Sequence, residues 1–392
     1  MMTGQNNRLF TADKIHDGNG WLPAGAAIEV TDNGTITAVH EKADKDATHL
    51  AGILAPGFFN AHCHLELSHM KGVVPEKTGL IPFLKSIPTQ RNNFTDEQKK
   101  AARHQAYEEL AGNGVVAVGD IANSADTLDI RELDRMHVHT FVECIGFSEQ
   151  FAQARLDYSL EVLAAFITQK NKEKELRQSV IPHAPYSVSG ALFRLLNEAI
   201  PGSLISIHNQ ESRAEDEYYR HKTGAVRELL AMLGIDDAFF EAPGKSSLQS
   251  YLPVFSPGHA MLLVHNTYTP EEDVLFAEGL FPMLSWCLCP NANLYIEDAL
   301  PDVNMLRKHT KNICIGTDSL ASNHQLSVLA ELVTLKKHFP ELEWEELIRW
   351  GTLNGAKALQ MDAFAGSFEP GKKPGLVQIS DLESVPKAKR IL

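Results

Sequence analysis

Apolar and polar positions follow one repeated rhythm along most of the chain. Eight short apolar runs, at residues 53–61, 115–121, 140–146, 179–183, 204–208, 261–265, 282–287 and 312–317, read as buried strands. Helical stretches lie between them at 95–111, 151–170, 191–199, 223–233 and 270–278. Two more, at 325–338 and 344–361, follow the last run. Strands that stay apolar at nearly every position are covered on both faces, which is the pattern of parallel βα units. Eight such units predict an α/β fold of the TIM type, a closed (β/α)8 barrel; a doubly wound open sheet is the second architecture this count permits.

The two ends of the chain carry a different pattern. Ala24-Gly-Ala-Ala-Ile-Glu-Val30, the turn Asp32-Asn-Gly34, and Thr35-Ile-Thr-Ala-Val39 predict a β-hairpin, because Asn-Gly between apolar runs supplies the positive φ that tight turns need. Near the other end, Gly366-Ser-Phe, the turn Pro370-Gly-Lys-Lys-Pro-Gly375 and Leu376-Val-Gln-Ile379 are also extended in character. Together these ends predict a small β-sandwich domain, discontinuous in sequence (1–53 and 363–392), beside a catalytic barrel over 54–362.

Composition narrows the partners. The chain has 392 residues, 44% of them apolar, ample for a large core, and a formal net charge of −14. Such a surface repels phosphate backbones, so the expected partner is a small-molecule substrate and not nucleic acid. Five scattered cysteines do not read as a disulfide framework and suit a reducing, cytoplasmic setting. Residues 1–9 are polar, without the apolar centre of a secretion signal. No apolar run approaches the about 20 residues that span a bilayer, so no membrane association is expected.

Chemistry concentrates at strand ends. His62 and His64 end the first run, His183 the fourth, His208 the fifth with Glu211 just beyond, His265 the sixth and Asp318 the eighth. A single histidine after a strand is more often structural than functional. His62-Cys-His64 is stronger, since residues two apart on a strand share a side and can meet one ion. In barrel enzymes the active site is built at the C-terminal ends of the strands, so these residues become neighbours there. Cys287-x-Cys289 has the wrong spacing for a structural zinc site and reads as a buried pair; Glu108-Glu109 and Glu345-Glu346 read as solvated helix faces.

These motifs carry a family resemblance over nearly the whole chain. Leu54-Ala-Pro-Gly-Phe-Phe-Asn-Ala-His-Cys-His64 resembles the first-strand signature of the amidohydrolase superfamily. Ile207-His-Asn-Gln-Glu211 and Gly316-Thr-Asp-Ser-Leu-Ala-Ser-Asn323 are similar to the corresponding motifs of its deaminase and chlorohydrolase branch. One departure is Leu288, which stands before Cys289-Pro-Asn-Ala-Asn293 where relatives often carry a histidine.

The resemblance implies that His62, His64, His208 and Asp318 hold one divalent metal ion, zinc by preference, with iron or manganese also suited to such donors. Asp318 would take a proton from the attacking water, His265 would orient that water, and Glu211 would shuttle a proton to the substrate. The segment Pro182-His-Ala-Pro-Tyr186 lacks the lysine that bridges two metals in binuclear relatives, which favours one ion. His183, Glu66 and Glu143 are the expected substrate-binding residues. His64-Leu-Glu-Leu-Ser68 looks most like aminodeoxyfutalosine deaminases, so hydrolytic deamination of a purine-like nucleoside or base is the favoured activity. Alternatives are deamination of guanine, a pterin or another heterocycle, or chlorohydrolysis. A non-catalytic scaffold relative is disfavoured because every ligand position is filled. A homodimer is compatible with the resemblance, though no residue shows it.

Overall fold

The structure, a computed structural model, describes residues 7–200, 202–382 and 384–392; residues 1–6, part of both the polar N-terminal stretch and the end module anticipated above, lie outside the described residues. Four strands come first: β1 (Asn7–Ile15), β2 (Ala27–Thr31), β3 (Ile36–His40) and β4 (Thr48–Pro56). Eight follow through the centre: β5 (Phe58–Cys63), β6 (Val115–Ala122), β7 (His137–Cys144), β8 (Leu176–Pro182), β9 (Leu204–Asn209), β10 (Ala260–His265), β11 (Leu284–Leu288) and β12 (Ile313–Ile315). β13 (Leu376–Ser380) and β14 (Lys387–Arg390) close the chain.

Both chain ends meet in one six-stranded sheet, in the order β14-β13-β4-β1-β2-β3. The expected hairpin is there: β2 pairs antiparallel with β3, and Gly34 turns between them at φ +83°. The described residues form this single sheet where a two-layered sandwich was expected. Its apolar face buries Phe10, Ile28, Val30, Ile36 and Leu54 with Phe368 and Leu376.

The eight central strands form two four-stranded parallel sheets, β5-β6-β7-β8 and β9-β10-β11-β12. Their edges also touch. His208 N donates to His183 O at 3.0 Å between β8 and β9, and Thr317 N donates to His62 O at 3.0 Å between β12 and β5. β5, β6, β7, β9 and β10 are buried at every position. Alternate residues serve two cores, as a strand's period of two requires. Phe58, Val118, Leu263 and Trp286 pack on the helix side. Phe59, Ala117, Leu262 and Cys287 pack in the separate interior cluster.

One expected strand is in fact two. The run at 53–61 ends in the small sheet at Pro56 and restarts at Phe58 in the central sheet. Gly57 makes the join possible: a Cβ there would lie 2.2 Å from Val116 Cγ1 and 2.8 Å from the Pro374 carbonyl oxygen. Gly57→Ala is therefore expected to destabilise the fold by about 1–3 kcal/mol through overpacking, read as a lower urea midpoint with an unchanged slope. A wild-type midpoint would show that the join relaxes freely.

Helices the sequence reading did not anticipate are the extra ones at Leu80–Gln90 and Arg213–His221, and both helices between β11 and β12, Pro290–Glu297 and Val303–His309. The glutamate pairs also differ from a solvated-face reading. Glu109 accepts from Leu326 N at 2.9 Å, Glu345 accepts from Trp21 N at 3.3 Å, and Glu346 pairs with Arg307. Each ties a helix to a distant segment. All five cysteines are buried and unpaired. Among the described residues no helix is long and apolar enough to cross a membrane.

Candidate active site

Six strand-end residues named from the sequence converge on one point. His64 Nε2 lies 3.2 Å from His62 Nε2, 3.3 Å from His208 Nε2 and 3.4 Å from Asp318 Oδ1. His62 Nε2 lies 3.7 Å from the same Asp318 oxygen. His265 stacks on His208, ring centroids 5.4 Å apart, and shares a second close group with His62 and His208. Glu211 Oε1 sits 3.7 Å from His265 Nε2. All six are buried.

The backbone is bent to bring them there. β9, β10 and β12 end in loops where Gln210, His265 and Asp318 adopt left-handed φ values of +46°, +72° and +57°. Such conformations cost free energy in residues with a Cβ and persist only where surroundings impose them. Around Glu211 the imposition is visible: Gln210 N donates to Glu215 Oε1 at 3.1 Å, and Gln210 Nε2 to Asp273 Oδ2 at 2.5 Å.

Burial sets the charge states. It lowers His62, takes His64 down to about 3 and holds His208 well below the usual imidazole range, so these rings are neutral. His208 Nδ1–H donates to His183 O at 2.7 Å, which leaves the Nε2 lone pair facing the cluster. Burial favours the protonated Asp318 carboxyl, but the His62 and His64 imidazoles beside it outweigh that and keep Asp318 well below the usual carboxylate range. Ser322 Oγ donates to its other oxygen at 2.5 Å. At Glu211 burial outweighs the lowering effect of His265 and pushes the carboxyl up to about 7. His62, His64 and Asp318 form one close set of donors that could hold a divalent ion, and His208 joins it through two further sets, with His62 and His265 and with His64 and Glu143.

The three residues expected to bind substrate divide. His183 packs its ring 4.8 Å from His208, with Nδ1 hydrogen-bonded to Ser187 Oγ at 2.7 Å. Glu143 comes closest to the cluster, since one of its oxygens groups with His64 and His208. Its Oε1 is buried with no hydrogen-bond partner, and burial raises its carboxyl to about 8. Glu66 stands one step back: Oε2 accepts from Asn123 N at 2.9 Å, and Oε1 lies 3.5 Å from Arg91. Asn123 links the two carboxylates by donating Nδ2 to Glu143 Oε2 at 2.7 Å.

Sequence reasoning missed Asn123, Arg91, Ser322 and Asn293. Two had a signal: Asn293 in the Cys289-Pro-Asn-Ala-Asn293 segment after β11, and Ser322 in the Gly316–Asn323 motif.

Parallel strands whose ends gather three histidines, an aspartate and a separate buried acid define a class of hydrolases that activate water. The chain belongs to the amidohydrolase family: the Amidohydrolase family model matches residues 53–391. Aminodeoxyfutalosine deaminase of Nitratiruptor sp. is 27% identical over 336 residues, covering 84% of this chain and 79% of the relative. The crystal structure of Helicobacter pylori aminofutalosine deaminase superposes with a TM-score of 0.79 at 21% identity, over 99% of this chain and 100% of that one. An adenosine deaminase from Xanthomonas campestris, solved with bound zinc, gives a TM-score of 0.74 at 22% identity, over 95% and 84%.

Proposed function

We propose that this chain hydrolytically deaminates a 6-amino-purine nucleoside, with aminodeoxyfutalosine the favoured substrate and adenosine-type nucleosides next. The observation that carries this reading is the pairing of an ionised Asp318 with a raised, protonatable Glu211 on either side of His265. Two carboxyls held in opposite charge states are what a reaction with one proton acceptor and one proton donor needs. The relatives' names agree with it.

The supporting architecture is a closed (β/α)8 barrel over 54–362, with the six-stranded sheet as a separate module of both chain ends. The hydrogen bonds across both sheet seams favour closure over an open sheet. His62, His64, His208 and Asp318 would hold the metal, and their nitrogen and oxygen donors suit zinc. When bound, such an ion supplies hydroxide at neutral pH and needs no protein base strong enough to ionise free water.

The chain's own residues do the rest. Asp318, ionised, accepts a proton from the attacking water. His265 orients the attacking water. Glu211, in its protonated form, donates to the ring nitrogen next to the reacting carbon. An aromatic C–NH2 carbon is a poor electrophile until that proton arrives. The Glu211 carboxylate then takes the hydroxyl proton of the tetrahedral intermediate and passes it to the leaving nitrogen; ammonia departs as the C=O forms, and the proton held on Asp318 restores Glu211. Ring-amide hydrolysis needs no such proton and is disfavoured.

A panel of aminodeoxyfutalosine, adenosine, 5′-substituted adenosines, guanine, a pterin and dihydroorotate tests the proposal. The 6-amino nucleosides should release ammonia and shift their ultraviolet absorption toward the 6-oxo product. Dihydroorotate should be inert. Rapid opening of a cyclic amide with no amino-heterocycle deaminated would overturn the deaminase reading.

A further inference from the structure

His265 is held by one side chain at two points. Its Nδ1 lies 2.8 Å from Asn293 Oδ1, and Asn293 Nδ2 reaches back to the His265 carbonyl oxygen at 3.5 Å. Both residues are buried, 1% and 2% exposed, so water does not compete for these contacts. Asn293 stands on the helix Pro290–Glu297 that begins directly after β11.

The amide's orientation follows from chemistry. Only Nδ2 can donate to a carbonyl oxygen, so Oδ1 must face the ring. A flipped amide would set its oxygen against the His265 carbonyl and its NH2 against Nδ1. With Oδ1 as the partner, Nδ1 carries the ring proton. The neutral ring then presents a bare lone pair at Nε2, on the side where Glu211 Oε1 stands 3.7 Å away and where His62 and His208 converge.

We propose that Asn293 is a positioning residue that fixes the tautomer and the ring plane of His265 by clamping its imidazole and its backbone together. The clamp grips His265 where its backbone is left-handed, at φ +72°. Fixed this way, the neutral ring accepts a hydrogen bond at Nε2 and does not donate one. That is the polarity required of a group that orients an attacking water by its O–H. The other tautomer would turn an N–H toward the same point and aim the water's lone pair away from the substrate. The inference rests on the role proposed above for His265, though the tautomer itself can be read without substrate.

The test uses the metal-loaded, full-length protein with Asn293→Ala and Asn293→Asp. Outer partners that orient metal-ligating histidines are worth about 10–100-fold, and a partner that orients a histidine beside the same cluster is expected to act on the same scale. Asn293→Ala should therefore lose about 10–100-fold in kcat, with KM, metal content and thermal midpoint close to wild type. Asn293→Asp keeps an acceptor for Nδ1–H and should retain more kcat than the alanine variant. Nitrogen-15 spectra of histidine-labelled protein give the second readout. The imidazole signal that vanishes in His265→Gln should report an Nδ1–H tautomer in wild type and in Asn293→Asp, and a mixture in Asn293→Ala. Wild-type kcat in the alanine variant, or an unchanged Nδ1–H signal there, would overturn the proposal. So would loss of metal, because Asn293 would then act on the ligand set. If no substrate in the panel is turned over, the deaminase reading fails while the tautomer measurement still decides this one.

Discussion

His208→Ala is expected to purify folded, without metal, and without measurable turnover. The wild-type ring is neutral because burial keeps it so, and its Nδ1–H is committed to the His183 carbonyl at 2.7 Å. That leaves Nε2 as a lone pair within 3.3 Å of His64 Nε2. Alanine deletes one of four proposed ligands, and each lost bond weakens the hold on the ion and the geometry that keeps a position open for water. The loss should exceed the about 10–100-fold that follows from removing a mere outer partner of a ligand. Metal per chain is measured by plasma emission, turnover by ammonia release, and the fold by circular dichroism. A folded His208→Ala protein with full metal and full turnover would falsify the ligand assignment.

Glu211→Gln separates chemistry from ligation. The carboxyl is buried, has among the described residues only the His265 imidazole within ion-pair distance, and is pushed up to about 7 by burial. Below that value it carries the proton the substrate ring needs; as pH rises through it, the proton is lost and kcat/KM should fall. Glutamine keeps the size and one hydrogen-bond donor but cannot give up a proton. The variant should keep wild-type metal content and lose about 10²–10⁴ in kcat, the usual worth of general acid–base catalysis. Its residual rate should lack the alkaline fall near pH 7. A metal-free Glu211→Gln protein would make Glu211 a ligand, and undiminished kcat would remove it from the mechanism.

Most of what a metal-dependent hydrolase of this family needs was readable along the chain. Residues 62, 64, 208, 265 and 318 stand at the ends of apolar runs, and parallel strands bring such ends to one face wherever they fall in sequence. The spacing of His62 and His64 alone puts both rings on one side of a strand. Continuous apolar runs also announced strands buried on both faces. Asn-Gly likewise announced the hairpin at the N-terminal end.

Tertiary structure decided what no local pattern encodes. The apolar run at 53–61 is uninterrupted, yet its two halves belong to different sheets, because Gly57 alone permits the close approach of Val116 and Pro374. Glu66 and Glu143 looked equivalent as candidates. Folding ties Glu66 to Asn123 and Arg91 and leaves Glu143 Oε1 buried and unpaired beside the histidines. Asn293 lies 28 positions from His265, and nothing in either segment names the other as its partner. Hydrophobic periodicity reports how much of a side chain is covered, and by which face. Which polar atom meets which, and in what protonation state, depends on the packing of distant loops in a medium from which water has been removed. There an unpaired carboxylate is costly, and one well-placed amide can set the direction of a proton.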